Sequence, residues 1–176
     1  MIYVVDLDDT LVSSTVLNND SYNFALEHYG FNKLIINERI TRERLDFIDN
    51  KTLENIIHLK QYYFTQEWLP YRVVLNKLLI DKLLINKKEN CYLWTKADKN
   101  RTNKIIEYCR LDTYFNDIIF DDKSGFKNSI STLQKITSAN QFIIYENNKE
   151  FFYNQNCKII DTIKTKFFDI NGYLVG

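Results

Sequence analysis

Hydrophobic positions fall into short blocks whose spacing changes along the chain. Ile2 to Val5 is a β-branched and aromatic run that ends abruptly in Asp6-Leu7-Asp8-Asp9-Thr10. Short apolar runs bounded by polar turns read as buried strands. From about Ser13 to Lys88 the spacing is helical. Phe24, Leu26 and Tyr29 repeat with Gly30 placed as a C-terminal stop, and Leu53, Ile56, Ile57 and Phe64 mark a second helix. Pro70 precedes Val74, Leu75, Leu78, Leu79, Leu83 and Leu84, the placement of a proline in the first turn of an amphipathic helix.

Beyond Lys88 the two periodicities alternate. Cys91 to Trp94, Asp117 to Phe120, Gln141 to Tyr145 and the pair Ile159-Ile160 read as strands. Arg101 to Arg110 and Asn128 to Thr137 read as helices. Such alternation predicts βαβ units and an α/β fold, a Rossmann-like parallel sheet flanked by helices. The block from Ser13 to Pro70 is then a small helical insertion after the first strand. Residues 1–12 and 71–176 form the expected core, and residues 13–70 the insertion.

A chain of 176 residues holds one domain, or one domain with a small inserted module. An apolar fraction of 45% supplies a sizeable core and excludes wholesale disorder. The 23 basic residues balance 23 acidic ones, which argues against a general nucleic-acid or membrane-surface protein. No apolar run is long enough to span a membrane, and the N-terminal run is too short for a signal peptide, so a cytoplasmic location is expected. Cys91, Cys109 and Cys157 form no CxxC pair and read as buried free thiols.

The strongest chemical signal is Asp6-Leu7-Asp8-Asp9-Thr10-Leu11. Three carboxylates within four positions repel one another and need a cation or a donor network to coexist. In open parallel sheets ligands bind at the carboxyl ends of strands. Two aspartates at i and i+2 there can divide labour, one as nucleophile and the other as proton donor and acceptor. His28 and His58 have no partner cluster. Lys96, Lys99, Arg101 and Lys104 read as the solvated start of a helix, with attraction of a phosphodiester backbone as the alternative. Tyr22, Tyr29, Tyr62, Tyr63 and Phe64 enrich the insertion in aromatics, mostly for packing.

Val4-Val5-Asp6-Leu7-Asp8-Asp9-Thr10-Leu11-Val12 resembles the first motif of the haloacid dehalogenase-like hydrolase superfamily, and Tyr92-Leu93-Trp94-Thr95 resembles the second. The third is a lysine near the start of the helix before the fourth strand; Lys127 fits best and Lys123 is the alternative. The fourth is an acidic strand end. Here Glu146-Asn147-Asn148-Lys149-Glu150 carries no aspartate, so the pair is either Glu146 with Asn147 or Glu146 with Glu150. Tyr114 to Ile119 is similar to a segment of phosphoglycolate phosphatase- and phosphomutase-like members.

The resemblance implies a core of that type, with the insertion acting as a cap over the site. It implies a phosphatase using an aspartyl-phosphate: Asp6 as nucleophile, Asp8 as acid and base, and Thr95 and Lys127 binding phosphoryl oxygens. It implies Mg²⁺ held by Asp6, Asp8 and Glu146 or Asn147. The expected substrate is a small phosphomonoester of nucleotide or sugar phosphate type. A polynucleotide or protein phosphatase, or a non-catalytic binding module, are the alternatives.

Overall fold

The structure, a computed structural model, describes residues 1–68, 73–148, 163–168 and 174–175. Pro70, Glu150, Cys157 and the pair Ile159-Ile160 lie outside the described residues. The described strands form a six-stranded sheet and a two-stranded ribbon. The sheet contains β1 (Ile2–Val5), β4 (Cys91–Thr95), β5 (Asp117–Phe120), β6 (Phe142–Glu146), β7 (Ile163–Phe168) and β8 (Leu174–Val175). Its spatial order is β5-β4-β1-β6-β7-β8, parallel throughout except between β7 and β8. Parallel pairing carries Val5, Thr95, Phe120 and Glu146 to one edge of the sheet, so all four strand ends feed the same cleft.

Alternation along each strand divides the core between the two faces. On one face Val5 and Leu93 pack with Leu79, Leu83, Ile105 and Leu111. On the other, Val4, Trp94 and Ile144 pack with Phe126, Ile130 and Leu133. The flanking helices are α3 (Lys77–Leu84), α4 (Lys99–Cys109) and α5 (Phe126–Thr137). In α5 the residues Phe126, Ser129, Ile130 and Leu133 are buried, the i, i+3, i+4, i+7 stripe of a helix lying on a sheet. Cys91 and Cys109 are free, and burial pushes both thiols up to about 11, so neither is a thiolate at neutral pH. No described helix is long and apolar enough to cross a membrane.

The helical block has a hydrophobic cluster of its own. It runs from α1 (Thr15–His28) through a 3-10 turn (Arg42–Leu45) to α2 (Asn50–Tyr62), which continues as a wider turn over Tyr63–Trp68. Tyr22, Ala25, Leu26, Ile40, Leu45, Leu53 and Ile56 meet between α1 and α2. Gly30 ends α1 as the spacing predicts: its φ of 81° suits glycine, its N–H reaches Glu27 O at 3.0 Å, and Phe31 N reaches Leu26 O at 2.9 Å. Asp49 opens α2 by accepting from Thr52 N.

One expectation needs correction. Val74 and Leu75 are not helical; they form β3 (Val74–Leu75), paired antiparallel with β2 (Val12–Ser13). The helix starts later because Asn76 caps it, accepting from Leu79 N at 3.1 Å while donating to Thr10 O at 3.0 Å. That bond ties the exit of the helical block to its entrance. The described residues also include β7, which the hydrophobic pattern does not mark because its Ile-Lys-Thr-Lys-Phe-Phe sequence carries no continuous apolar run.

Candidate active site

Beyond β1 the chain turns sharply, with Val12 N reaching Leu7 O at 2.9 Å and Asp9 N reaching Val12 O at 2.6 Å. Asp9 sits at φ 59°, a region that Asp tolerates better than most residues. This turn sends the three aspartates to three different sets of partners, which resolves their mutual repulsion.

Asp6 is buried at the strand end. Lys123 Nζ donates to Asp6 Oδ1 at 2.6 Å and to Glu146 Oε2 at 2.7 Å, so one ammonium links two carboxylates from β1 and β6. Burial pushes the Asp6 carboxyl up; Lys123 opposes that, and Glu146 reinforces it. Burial also works against the Lys123 ammonium, but Asp6 and Glu146 more than offset it and hold Lys123 above its ordinary range. Glu146 Oε1 accepts from Asn148 N at 3.0 Å, and Asn147 Oδ1 accepts from Thr10 Oγ1 at 3.3 Å.

Asp8 is held by the Ser14 hydroxyl, by Arg101 and by Arg39, whose Nη2 lies 3.3 Å away. Burial alone would raise its pKa; the two guanidiniums outweigh that and hold it at about 2. Asp9 is a structural fixture. Its carboxylate accepts from Ser14 N, Thr15 N and Thr15 Oγ1 at the start of α1, and from Arg39 Nη1 at 3.2 Å. It thereby caps the first helix of the block and fixes Arg39 in the cleft.

The structure brings Asp6, Asp8, Thr95, Glu146 and Asn147 around one cavity of about 700 Å³. Thr95 is buried there and its hydroxyl accepts from Ala97 N at 3.0 Å. Lys127 is not brought in. It is exposed, one position into α5 and off the buried stripe, whereas Lys123, on the loop between β5 and α5, lines the cavity. That placement corrects the lysine assignment in favour of the alternative. Lys123 is aimed by a φ of 51°, by Asp121 Oδ1 accepting its N–H at 2.8 Å, and by the Trp94 ring 4.3 Å beneath its ammonium. Its sequence signal is position: it follows a strand end by three residues, within the turn-rich Asp121-Asp122-Lys123-Ser124-Gly125.

Sequence reasoning missed Arg39 and Lys60, and read Arg101 as part of a solvated run. All three line the cavity, and Lys60 and Arg101 are buried. Among the described residues no three Asp, Glu, His or Cys side chains converge as a metal cage. The donors that face the cleft near Lys123 are all oxygen: Asp6, Glu146 and the neighbouring Asn147. Such a set fits a hard cation that keeps several waters, as Mg²⁺ does.

No protein-family model and no curated protein matches the chain. Solved structures do. A predicted phosphoglycolate phosphatase from Haemophilus somnus 129pt is 16% identical, with a TM-score of 0.70 over 97% of this chain and 94% of that one. A haloacid dehalogenase-like hydrolase from Streptococcus pneumoniae is 15% identical, with a TM-score of 0.69 over 93% and 82% of the two chains. A hydrolase of the same superfamily from Entamoeba histolytica HM-1:IMSS gives 16% identity and a TM-score of 0.68 over 84% and 76%. This chain has the haloacid dehalogenase-like hydrolase fold.

Proposed function

We propose that the protein is a phosphatase that hydrolyses a small phosphomonoester through an aspartyl-phosphate on Asp6. The observation that carries this reading is the buried chain Asp6–Lys123–Glu146 at the carboxyl edge of the sheet, inside a cavity of about 700 Å³. That volume suits a small molecule.

Asp6 Oδ attacks phosphorus, and the bond to the leaving oxygen breaks. Burial raises the Asp6 carboxyl to about 7; Lys123 opposes that rise, orients the carboxylate and offers positive charge to the phosphoryl oxygens. The Thr95 hydroxyl has accepted the Ala97 N–H, and its own proton serves a phosphoryl oxygen. Asp8 is ionised in the arrangement described, the form that takes a proton from the water hydrolysing the intermediate. Protonating the leaving oxygen beforehand requires Arg39 and Arg101 to give way. Asp6, the Asp8 main-chain carbonyl and Glu146 or Asn147 would hold Mg²⁺, which would supply further positive charge to the phosphoryl oxygens. Residues 13–70 act as a cap, since Arg39 and Lys60 reach into the cleft from that block.

The small-substrate reading is favoured over a polynucleotide one because the basic run is largely engaged. Arg101 holds Asp8, Lys104 pairs with Glu107, and Lys99 lies over the Phe120 ring. Hydrolysis of an aryl phosphate, assayed with and without Mg²⁺, tests the proposal. Turnover that Asp6→Asn abolishes supports it. Absence of turnover under both conditions sinks it and leaves the binding-module reading.

A further inference from the structure

Lys123 is a flexible side chain that holds one fixed position. A four-carbon stem separates its backbone from the ammonium that bridges Asp6 and Glu146. Fixing such a stem costs rotamer entropy. Its backbone also sits at φ 51°, a region uncommon outside glycine, asparagine and aspartate. A residue keeps such a conformation only where its surroundings over-determine it.

Asp121 supplies that constraint through three hydrogen bonds. Its main-chain N–H donates to Thr95 O at 3.0 Å. Its Oδ1 accepts the Lys123 N–H at 2.8 Å, and its Oδ2 accepts the Trp94 indole N–H at 3.1 Å. The fully buried Trp94 ring lies 4.3 Å from the Lys123 ammonium. These contacts close a circuit. One carboxylate holds the backbone end of Lys123, and the indole it anchors faces the ammonium end. A cation is drawn to the face of an aromatic ring, so the orientation of the indole sets where the ammonium rests.

The sheet register explains how the circuit forms. Pairing of β4 with β5 sets Thr95 opposite Phe120, so Asp121 follows directly beyond that pair. Trp94 and Thr95 are consecutive on β4. The circuit therefore joins Thr95 to Lys123, the two residues that offer hydrogen bonds and charge to the phosphoryl oxygens.

We propose that Asp121 and Trp94 are positioning residues that fix the Lys123 ammonium relative to the Thr95 hydroxyl. Their effect on turnover rests on the phosphatase reading; their effect on where Lys123 lies is measurable without it.

The kinetic test is a double-mutant cycle on an aryl phosphate, with folding of each variant checked by near-UV circular dichroism. Trp94→Phe keeps a ring but loses the N–H. Asp121→Asn keeps an acceptor for the Lys123 N–H but loses the second carboxylate oxygen. Each should lower kcat by about tenfold, as misplacement of a phosphoryl-binding group does. The double variant should lie within about twofold of the worse single one, because both substitutions cut the same bond. Asp121→Ala, which also releases the Lys123 N–H, should be slower than Asp121→Asn. A loss under about twofold in Asp121→Asn overturns the proposal. So does a double variant whose losses multiply. Should Trp94→Phe not fold, the two Asp121 variants decide by the same size and order.

The second measurement is NMR of the lysine ε-methylene groups in the full chain. The Trp94 ring current should hold the Lys123 resonance upfield of the other lysines, and Asp121→Asn should move it back towards them. A wild-type resonance at the ordinary position, or one that Asp121→Asn leaves unmoved, overturns the proposal. If the wild-type chain hydrolyses no aryl phosphate, the phosphatase reading fails and this measurement alone decides the positioning.

Discussion

At the residue scale, the Asp6–Lys123–Glu146 chain makes each member depend on the others. Asp6→Asn is nearly isosteric but a far poorer nucleophile, so kcat on an aryl phosphate should fall by several orders of magnitude. Retention of more than about a tenth of wild-type kcat, under ~1.4 kcal/mol of barrier, would exclude Asp6 as nucleophile. Lys123→Met leaves two buried carboxylates facing each other without their shared cation. It should abolish turnover and destabilise the fold by about 3–5 kcal/mol in urea titration. Lys127→Met, on the exposed side of α5, should stay within about 0.5 kcal/mol and keep activity. Reversal of that order would return the phosphate lysine to Lys127.

At the element scale, Asp9 joins the strand-end turn to the helical block. Its backbone needs a positive φ and its carboxylate caps the start of α1. Asp9→Gly keeps the backbone and loses the cap, a cost of about 0.5–2 kcal/mol. Asp9→Ala loses both, and should be less stable than the glycine variant by about 1 kcal/mol. Chemical denaturation of the pair checks this; an alanine variant at least as stable as the glycine one would show that φ is not a constraint. The same aspartate also steadies Arg39, so either substitution should loosen the Arg39–Asp8 pair that sits 3.3 Å apart.

For the whole molecule, Lys60 makes stability depend on pH. Burial pulls its pKa from 10.5 down to about 7, with Arg101 and Arg39 adding to the effect and Asp8 and Asp98 opposing it. Between those values the unfolded chain binds more protons than the folded one, so this group's contribution to stability rises with pH from about 7 towards 10. Lys60→Met removes the penalty. The variant should exceed wild type in stability at pH 7, and the gap should shrink by pH 9.5. A gap that stays constant or widens would mean that Lys60 carries no such burden.

The element types were legible in the sequence because they follow from local periodicity. Apolar runs marked β1, β4, β5 and β6, and the amphipathic stripes marked α4 and α5 to within about two residues at each end. The placement of Asp6 and Asp8 in the cleft was legible too, since acids following a buried strand must emerge at the carboxyl edge of a parallel sheet. What the sequence left open was partnership. Arg101 lies 93 positions from Asp8, and Lys123 lies 117 from Asp6; no local rule pairs them. Lys123 and Lys127 are one helical turn apart in sequence, and only the αL backbone at Lys123 and the Trp94 platform decide which one reaches the carboxylates. Likewise, no local pattern singles out Lys60; packing against Tyr22 and Phe64 buries it. Local sequence determined which segments form strands and helices; the packing of the block against the sheet decided which charges meet, because electrostatic partnership depends on distance in space.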